Sequence, residues 1–411
     1  MPDHHVTNLL TANTSLPVDG LKDFIKQDNA VLCLLAPTAS GKTDFAHQLY
    51  QTGRFELISV DSALIYQDMN IGSAKPTADE LMRYPHHLVD IMPPTDSYGV
   101  ASFVADVQRL IEQIHQRGKL PFLVGGTMMY YMALFDGISA VPDSEPEVRT
   151  KVSQWLKTEG LANLYTYLQI IDPITAHRLN ATDSQRITRA IEVYEQTEKP
   201  ISHWQQLPKM ALANQPNQAW LGLAVKPERA WLYERIQRRL EQMWQQGLIF
   251  EVVQLIQKYP LHSNLPSMRC VGYRQAIDGL MQLGLIWTDT QGKLSAASDI
   301  MTQLMPIQWL LTHLPTDQHL SEHDLSELLK HHRAHFKGLP NMSNPPCITA
   351  DDVLACQDIK NKALYATRQL AKRQYTWLNK LIMSSDAMSV HDGIKTIMTF
   401  TSIEQIQQKL C

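Results

Sequence analysis

AVLCLLAPTASGKT, residues 30–43, decides how the chain folds. Its first part, Ala30–Ala36, is an unbroken apolar run closed by Pro37, the pattern of a short parallel strand buried on both faces. After Lys42 the spacing changes: Phe45, Leu49 and Tyr50 recur at three or four residues, as on one face of a helix. Between strand and helix, Ala36-Pro37-Thr38-Ala39-Ser40-Gly41-Lys42-Thr43 fills the phosphate-loop pattern G-x-x-x-x-G-K-[ST], with Ala36 where the pattern has its first glycine. G-K-[ST] alone is common, but a strand before it and a helix after it are the context the motif requires. Backbone N–H groups of Ala39–Lys42 would cradle phosphate oxygens, Lys42 would add a point charge, and the Thr43 hydroxyl would reach a Mg2+. An ordinary strand–turn–helix corner is the bland alternative. Ala36 requires that the first turn avoid positive φ or absorb strain.

Working outward, Phe55–Val60 is a second strand ending on Asp61, Phe103–His115 an amphipathic helix, and Leu120–Val124 a third strand ending on Gly125-Gly126. Alternating strands and helices mean a parallel sheet with crossover helices. The expected fold class is therefore α/β: a P-loop-type parallel sheet core with a helical insert domain and additional C-terminal helices. Residues 1–28 read as an N-terminal extension, 29–140 as the first part of the core and 141–200 as a helical insert. Residues 201–280 resume the core, with a strand at Trp220–Val225 and a long charged helix through Lys258. Residues 281–356 are weakly patterned and include the polar stretch GLPNMSNPPC. A helix opened by a capping box at Thr349 and Asp352 runs to about Ile382, giving a basic segment 357–386 and a tail 387–411.

Hydrophobic residues at 44% and charged ones at 19% are globular values, enough to bury a real core. A net charge of −4 announces no nucleic-acid binder, so any such surface must come from local clusters of Lys and Arg. Five scattered cysteines without a C-x-x-C pair argue against a disulfide framework or a cysteine zinc site. No membrane span or signal peptide is legible, and a cytoplasmic, monomeric protein is expected.

An ATPase normally carries a later strand ending in Asp for its metal. The later strand here runs instead into Gly125-Gly126-Thr127. A phosphate loop without a water-activating partner suggests a diphosphate that leaves rather than a phosphoryl group that is transferred.

The loop is followed in order by DSALIYQDMNIGSAKP (61–76), YPHHLVD (84–90), VGGTMMYY (124–131), DSQRITRAIEVYE (183–195), RCVGYRQ (269–275) and ATRQLAKRQYTWL (366–378). Together these blocks closely resemble the bacterial tRNA dimethylallyltransferases over most of residues 30–280 and 358–382. The resemblance implies that dimethylallyl diphosphate alkylates the exocyclic amine of adenosine 37, beside the anticodon, releasing pyrophosphate with Mg2+ present. An allylic diphosphate ionises once its leaving group is neutralised, which Lys42, Thr43 and the metal would do. Asp61, at a strand end beside the loop, suits the base that takes the amine proton; capping the next turn is its duller role. The family pattern makes Thr127 a partner at the reacting centre, the alternative being a helix N-cap. Arg235 and Arg239, four apart on one helical face, are candidate clamps on the diphosphate, unless they form a solvated face with Glu234 and Glu241.

Between Ile359 and Ser385 the chain carries Lys360, Lys362, Arg368, Lys372, Arg373 and Lys380 without an acid. The wheel sets Leu364, Leu370, Ala371, Trp377, Leu378 and Leu381 opposite Arg368, Lys372, Arg373, Asn379 and Lys380, as a helix facing a phosphate backbone would. The resemblance implies tRNA contact at Lys372, Arg373, Gln374, Tyr375, Thr376, Trp377, Leu378 and Asn379. It implies the same for Asp61, Ser62, Ala63 and Leu64, for Thr127 and for Arg149. Gln185, Arg186, Ile187, Thr188 and Arg189 form a further such block, and Arg269, Cys270, Val271, Gly272, Tyr273 and Arg274 another. The target base must leave the anticodon-loop stack to reach Asp61. Residues 281–356 exceed the family's usual short connection, and their HHRAH (His331, His332, His335) lacks the acid of a zincin motif. A metabolite kinase, an adenylate isopentenyltransferase and a non-catalytic RNA-binding module are the rival readings.

Overall fold

The protein is described from a computed structural model covering residues 19–337, 348–387 and 395–410. It divides into two units, Met1–Tyr131 with Pro216–Cys411, and Met132–Gln215. The strands are β1 (Ala30–Leu35), β2 (Phe55–Val60), β3 (His86–His87), β4 (Leu120–Gly125), β5 (Ala219–Val225), β6 (Ile286–Thr288), β7 (Leu294–Ala296) and β8 (Lys395–Phe400). Six of them form one parallel sheet in the order β3-β2-β4-β1-β5-β8. β1, β4 and β5 are buried at every residue, the reason they read as continuous apolar runs. β6 and β7 make a separate hairpin.

The first unit carries α1 (Asp19–Phe24), α2 (Lys42–Gln51), α3 (Ala78–Arg83) and α4 (Val100–Gln116), and α5 (Met128–Asp136) leads out of it. The second unit is helical: α6 (Pro146–Ile171), α7 (Pro173–Arg178), α8 (Ser184–Thr197) and α9 (Ile201–Gln206), around Val152, Leu164, Leu168, Ile187 and Ile191. The first unit resumes with α10 (Arg229–Gln245), α11 (Leu248–Lys258), α12 (Tyr273–Gln282), α13 (Ile300–His313), α14 (Glu322–Lys337), α15 (Ala350–Ala387) and α16 (Ile403–Leu410). One face of the sheet packs against α1, α2 and α16, which join Leu32, Leu34 and Leu221 in a single apolar cluster. A second cluster is built by α10, α11, α12, α13 and α15.

Several boundaries differ from the sequence expectations. Residues 1–18 of the expected extension, GLPNMSNPPC and 388–394 of the expected tail lie outside the described residues. Residues 19–28 are not an extension: Leu21 and Phe24 are buried under the sheet. Nor is 395–410 a tail, since β8 adds an edge strand beside β5 and Met398, Phe400, Ile403 and Ile406 complete the same cluster. The helix expected to run through Lys258 is two, broken at Gly247. Among the described residues of 281–356, Ile286, Leu294, Ile300, Leu304 and Leu310 belong to the helical core.

Candidate active site

β2, β4 and β1 lie side by side, and the chain leaves their carboxyl ends through Asp61, Gly126-Thr127 and the phosphate loop. That edge is where open parallel sheets present ligands. The loop takes its left-handed backbone at Ala39 (φ 61) and Gly41 (φ 89), not at Ala36. Ala36 is fully buried and its N–H donates to the Gly125 carbonyl (3.3 Å), which explains why an alanine stands there without strain. Gly41 caps α2, and the strain of a left-handed alanine at Ala39 is of the kind that collects at binding loops. Among the described residues, the N–H groups of Ala39, Ser40, Gly41 and Lys42 donate to no protein acceptor, which leaves an anion cradle at a helix start.

Cations surround this cradle. Lys42 Nζ donates to the Pro37 carbonyl at 3.4 Å. Burial, then the neighbouring Arg239, lowers its pKa to about 8, while Asp61 works in the opposite direction. Arg235 Nε donates to the Ala39 carbonyl at 2.7 Å, and its guanidinium lies 4.8 Å from the Trp231 ring centre. Arg239 donates to Ala74 O at 3.3 Å, and its pKa is lowered by burial and by Arg235, with Asp61 opposing. The solvated-face alternative for this pair does not hold, because Glu234 is taken by Arg238 (2.6 Å) and Glu241 by Lys360 (2.7 Å). Three cations converging on free N–H groups, with one carboxylate within electrostatic reach, form a site for a multiply charged anion.

Asp61 is both a cap and more than a cap. Its Oδ1 accepts from the N–H groups of Ala63 (2.9 Å) and Leu64 (3.4 Å). Oδ2 has no hydrogen-bond partner among the described residues. Thr127 does not use its hydroxyl to cap α5; Oγ1 accepts from Ser62 N–H at 3.1 Å and donates to Ser62 Oγ at 3.4 Å. The threonine thus ties the β4 turn to the Asp61 turn. Burial first, and then Asp61, pushes the Cys270 thiol up to about 12, which puts Cys270 in the same neighbourhood. A groove of about 630 Å3 opens beside Arg239, lined by Asn70, Ala74, Lys75, Asp90 and Met243; sequence reasoning missed it, although Asn70–Lys75 fall in a block already singled out.

The residues expected at an RNA surface split by burial. On α15, Lys372, Arg373, Thr376, Trp377 and Asn379 are exposed. Gln374, Tyr375 and Leu378 are not: Tyr375 donates to the Pro227 carbonyl, Leu378 sits in the interior, and Gln374 bonds inside the active site. Their side chains cannot serve RNA contact as expected. Lys360, counted in the same basic segment, is fully buried with its ammonium on Glu241 and on the carbonyls of Leu311 (2.9 Å) and Leu314 (2.5 Å). Arg368 pairs with Asp317 at 2.7 Å. Arg269 and Arg274 are exposed and Val271 half-buried, while Gly272 and Tyr273 are buried, the Tyr273 hydroxyl donating to Glu251 (2.6 Å). That carboxylate also accepts from the N–H groups of Asn70, Ile71 and Gly72 and so fixes the loop that carries Ala74. In the second unit Arg149, Gln185 and Arg186 are exposed, Thr188 is half-buried, and Ile187 is buried, a correction to its expected RNA contact. Arg189 donates to Pro142 O (2.5 Å) and to Ser144, holding the loop before α6.

A parallel α/β sheet with this loop and cation cluster at its carboxyl edge defines a P-loop protein. The IPP transferase family model matches residues 64–303. A tRNA dimethylallyltransferase of Psychrobacter sp. (strain PRwf-1) is 53% identical over 383 residues, 93% of this chain and 91% of that one. One from Acinetobacter baumannii (strain SDF) is 38% identical over 92% of this chain and 96% of its own length. Among solved structures, a eukaryotic dimethylallyltransferase acting on tRNA shares the fold with a TM-score of 0.54 at 21% identity, over 92% of this chain and 75% of that one. The chain belongs to the tRNA dimethylallyltransferase family and is a transferase.

Proposed function

We propose that the chain transfers the dimethylallyl group of dimethylallyl diphosphate to the exocyclic amine of adenosine 37 in tRNA, releasing pyrophosphate. The observation that carries this reading is the convergence of the free N–H groups of Ala39–Lys42 with Lys42, Arg235 and Arg239 beside the unpartnered Asp61 Oδ2. Such a cradle suits a leaving diphosphate: each negative charge that develops as the C–O bond breaks meets a fixed donor. Asp61, anchored through Oδ1, keeps Oδ2 for the amine proton.

Prenyl-diphosphate transferases generally use a divalent metal. The hydroxyl of Thr43, exposed in the first turn of α2 beside the cradle, is a hard oxygen donor that fits Mg2+. Bound there, the ion would neutralise diphosphate charge. Exposed Lys372 and Arg373 on α15 suit a phosphate backbone.

Incubation with labelled dimethylallyl diphosphate and tRNA lacking the modification tests the proposal. Label should appear in the tRNA at adenosine 37, and ATP should neither replace the diphosphate nor be hydrolysed. ATP turnover stimulated by a small metabolite, without label transfer, would refute it in favour of a kinase.

A further inference from the structure

Gln374 sits on the same helix, α15, as the exposed Lys372, Arg373, Thr376 and Trp377, but it points the other way. Its amide is buried and bridges two strand ends of the active site. Oε1 accepts from the Thr38 N–H of the phosphate loop at 3.2 Å, and Nε2 donates to the Gly126 carbonyl at 2.8 Å. Only this amide orientation works, because turning it over would set donor against donor and acceptor against acceptor. The carbonyl it holds belongs to the residue before Thr127, whose hydroxyl ties down the Asp61 turn. One side chain therefore touches the diphosphate loop and the turn that carries the reacting centre. Lys372 and Arg373, two and one residues before it, face solvent with positive charge.

Gly126 is shaped to this contact. A Cβ there would lie 2.7 Å from Gln374 Nε2 and 3.2 Å from the Ala36 carbonyl. The closer of these two atoms is the tip of a flexible side chain, so an alanine would be accommodated by expelling the amide rather than by breaking the sheet.

We propose that Gln374 is a positioning residue that links the two substrate sites. RNA seated on the exposed face of α15 fixes the register of the helix, the Gln374 amide transmits that register to Thr38 and Gly126, and the phosphate loop is thereby set for diphosphate. Gln374 itself touches neither substrate. The inference rests on the reading of the loop as a diphosphate site and of α15 as an RNA face. Linkage requires it to be reciprocal, so that diphosphate tightens RNA by the factor by which RNA tightens diphosphate.

The test uses inorganic pyrophosphate with Mg2+ as probe, titrated calorimetrically into the full chain with and without saturating unmodified tRNA. Wild type should bind pyrophosphate about tenfold more tightly with tRNA present, within the usual range of coupling between sites. Gln374→Met, which keeps helix propensity and volume but removes both hydrogen bonds, should bring that factor close to one. In steady state it should raise KM for dimethylallyl diphosphate at saturating tRNA more than it lowers kcat. Gly126→Ala, which leaves α15 and Gln374 chemically intact, should lose the coupling in the same way. A wild type without coupling overturns the proposal, as does a Gln374→Met or Gly126→Ala protein that keeps it. Label transfer by wild type with coupling unchanged in both variants sinks this inference alone, whereas no transfer by wild type sinks the functional reading beneath it.

Discussion

Replacing Asp61 with asparagine separates the two roles its carboxylate carries. Oδ1 accepts two backbone N–H groups, Ala63 at 2.9 Å and Leu64 at 3.4 Å, and an asparagine carbonyl can accept both. The turn should therefore survive, with a stability change within about 0.5 kcal/mol. Asp61→Ala loses those bonds and should cost about 1 kcal/mol. What asparagine cannot do is take a proton at Oδ2. Loss of a general base costs roughly 10²–10⁴-fold in rate, or about 2.7–5.5 kcal/mol of barrier. Binding should move the other way. The carboxylate acts on both Lys42 and Arg239, and removing it takes a like charge away from the incoming diphosphate. Asp61→Asn should thus bind pyrophosphate at least as well as wild type while transferring label far more slowly. Single-turnover transfer to tRNA, with pyrophosphate titration and thermal melting alongside, reads all three quantities. A variant that melts normally and transfers within about threefold of wild type would show that Asp61 is only a cap, and the mechanism would be wrong.

Three further outcomes follow from named contacts. Lys372→Ala with Arg373→Ala should flatten the salt dependence of tRNA binding by roughly 0.7–0.9 in slope per lost phosphate contact, and an unchanged slope would place RNA elsewhere. Lys42, with its pKa lowered to about 8, is cationic below that value and neutral above it, so pyrophosphate affinity of the free enzyme should fall as pH rises through 8. A flat profile from pH 7 to 9 would show that the ammonium contributes nothing. His332 is fully buried, with its pKa lowered to about 4 by burial and by His335 and Arg333. The unfolded chain takes up that proton near pH 6.5 and the folded chain does not. Stability is therefore complete above 6.5 and falls toward pH 4, by up to roughly 3 kcal/mol. Urea midpoints at pH 7 and 5 should converge in His332→Phe if this residue is responsible.

β1, β4 and β5, buried at every residue, were legible because nothing polar interrupts them, and each lies within one residue of its apolar run at each end; β2, which carries Glu56 and Ser59, lies where it was expected. β3 is two residues long and β8 is an edge strand with an exposed Thr399 between buried Met398 and Phe400, so neither carries such a run. Lys360 shows where counting charges along a segment fails. The sequence shows a lysine in a basic segment, whereas the fold provides Glu241 and two carbonyls from a layer dozens of residues away in sequence. Arg235 and Arg239 were legible as a pair, but only the structure shows that Arg238 takes Glu234 and releases them. Gln374 was assigned to RNA from its block, and its burial follows from Gly126, which no local pattern connects to it.

The bond between Thr38 and Gln374 joins residues 336 positions apart, and the outermost strand β8 comes later still. At roughly 5–20 residues per second, synthesis takes about 17–67 s to span that interval. The phosphate loop stays unbraced until Gln374 is made, and the β5 edge, once formed, stays unpaired until β8 follows. The loop's own N–H groups and Lys42 are made early, whereas Arg235, Arg239 and Gln374, which complete and steady the cradle, come much later in the chain. The growing polypeptide is therefore exposed to edge-to-edge association during translation, and its catalytic competence should appear abruptly, only when the segment through residue 400 has cleared the ribosome.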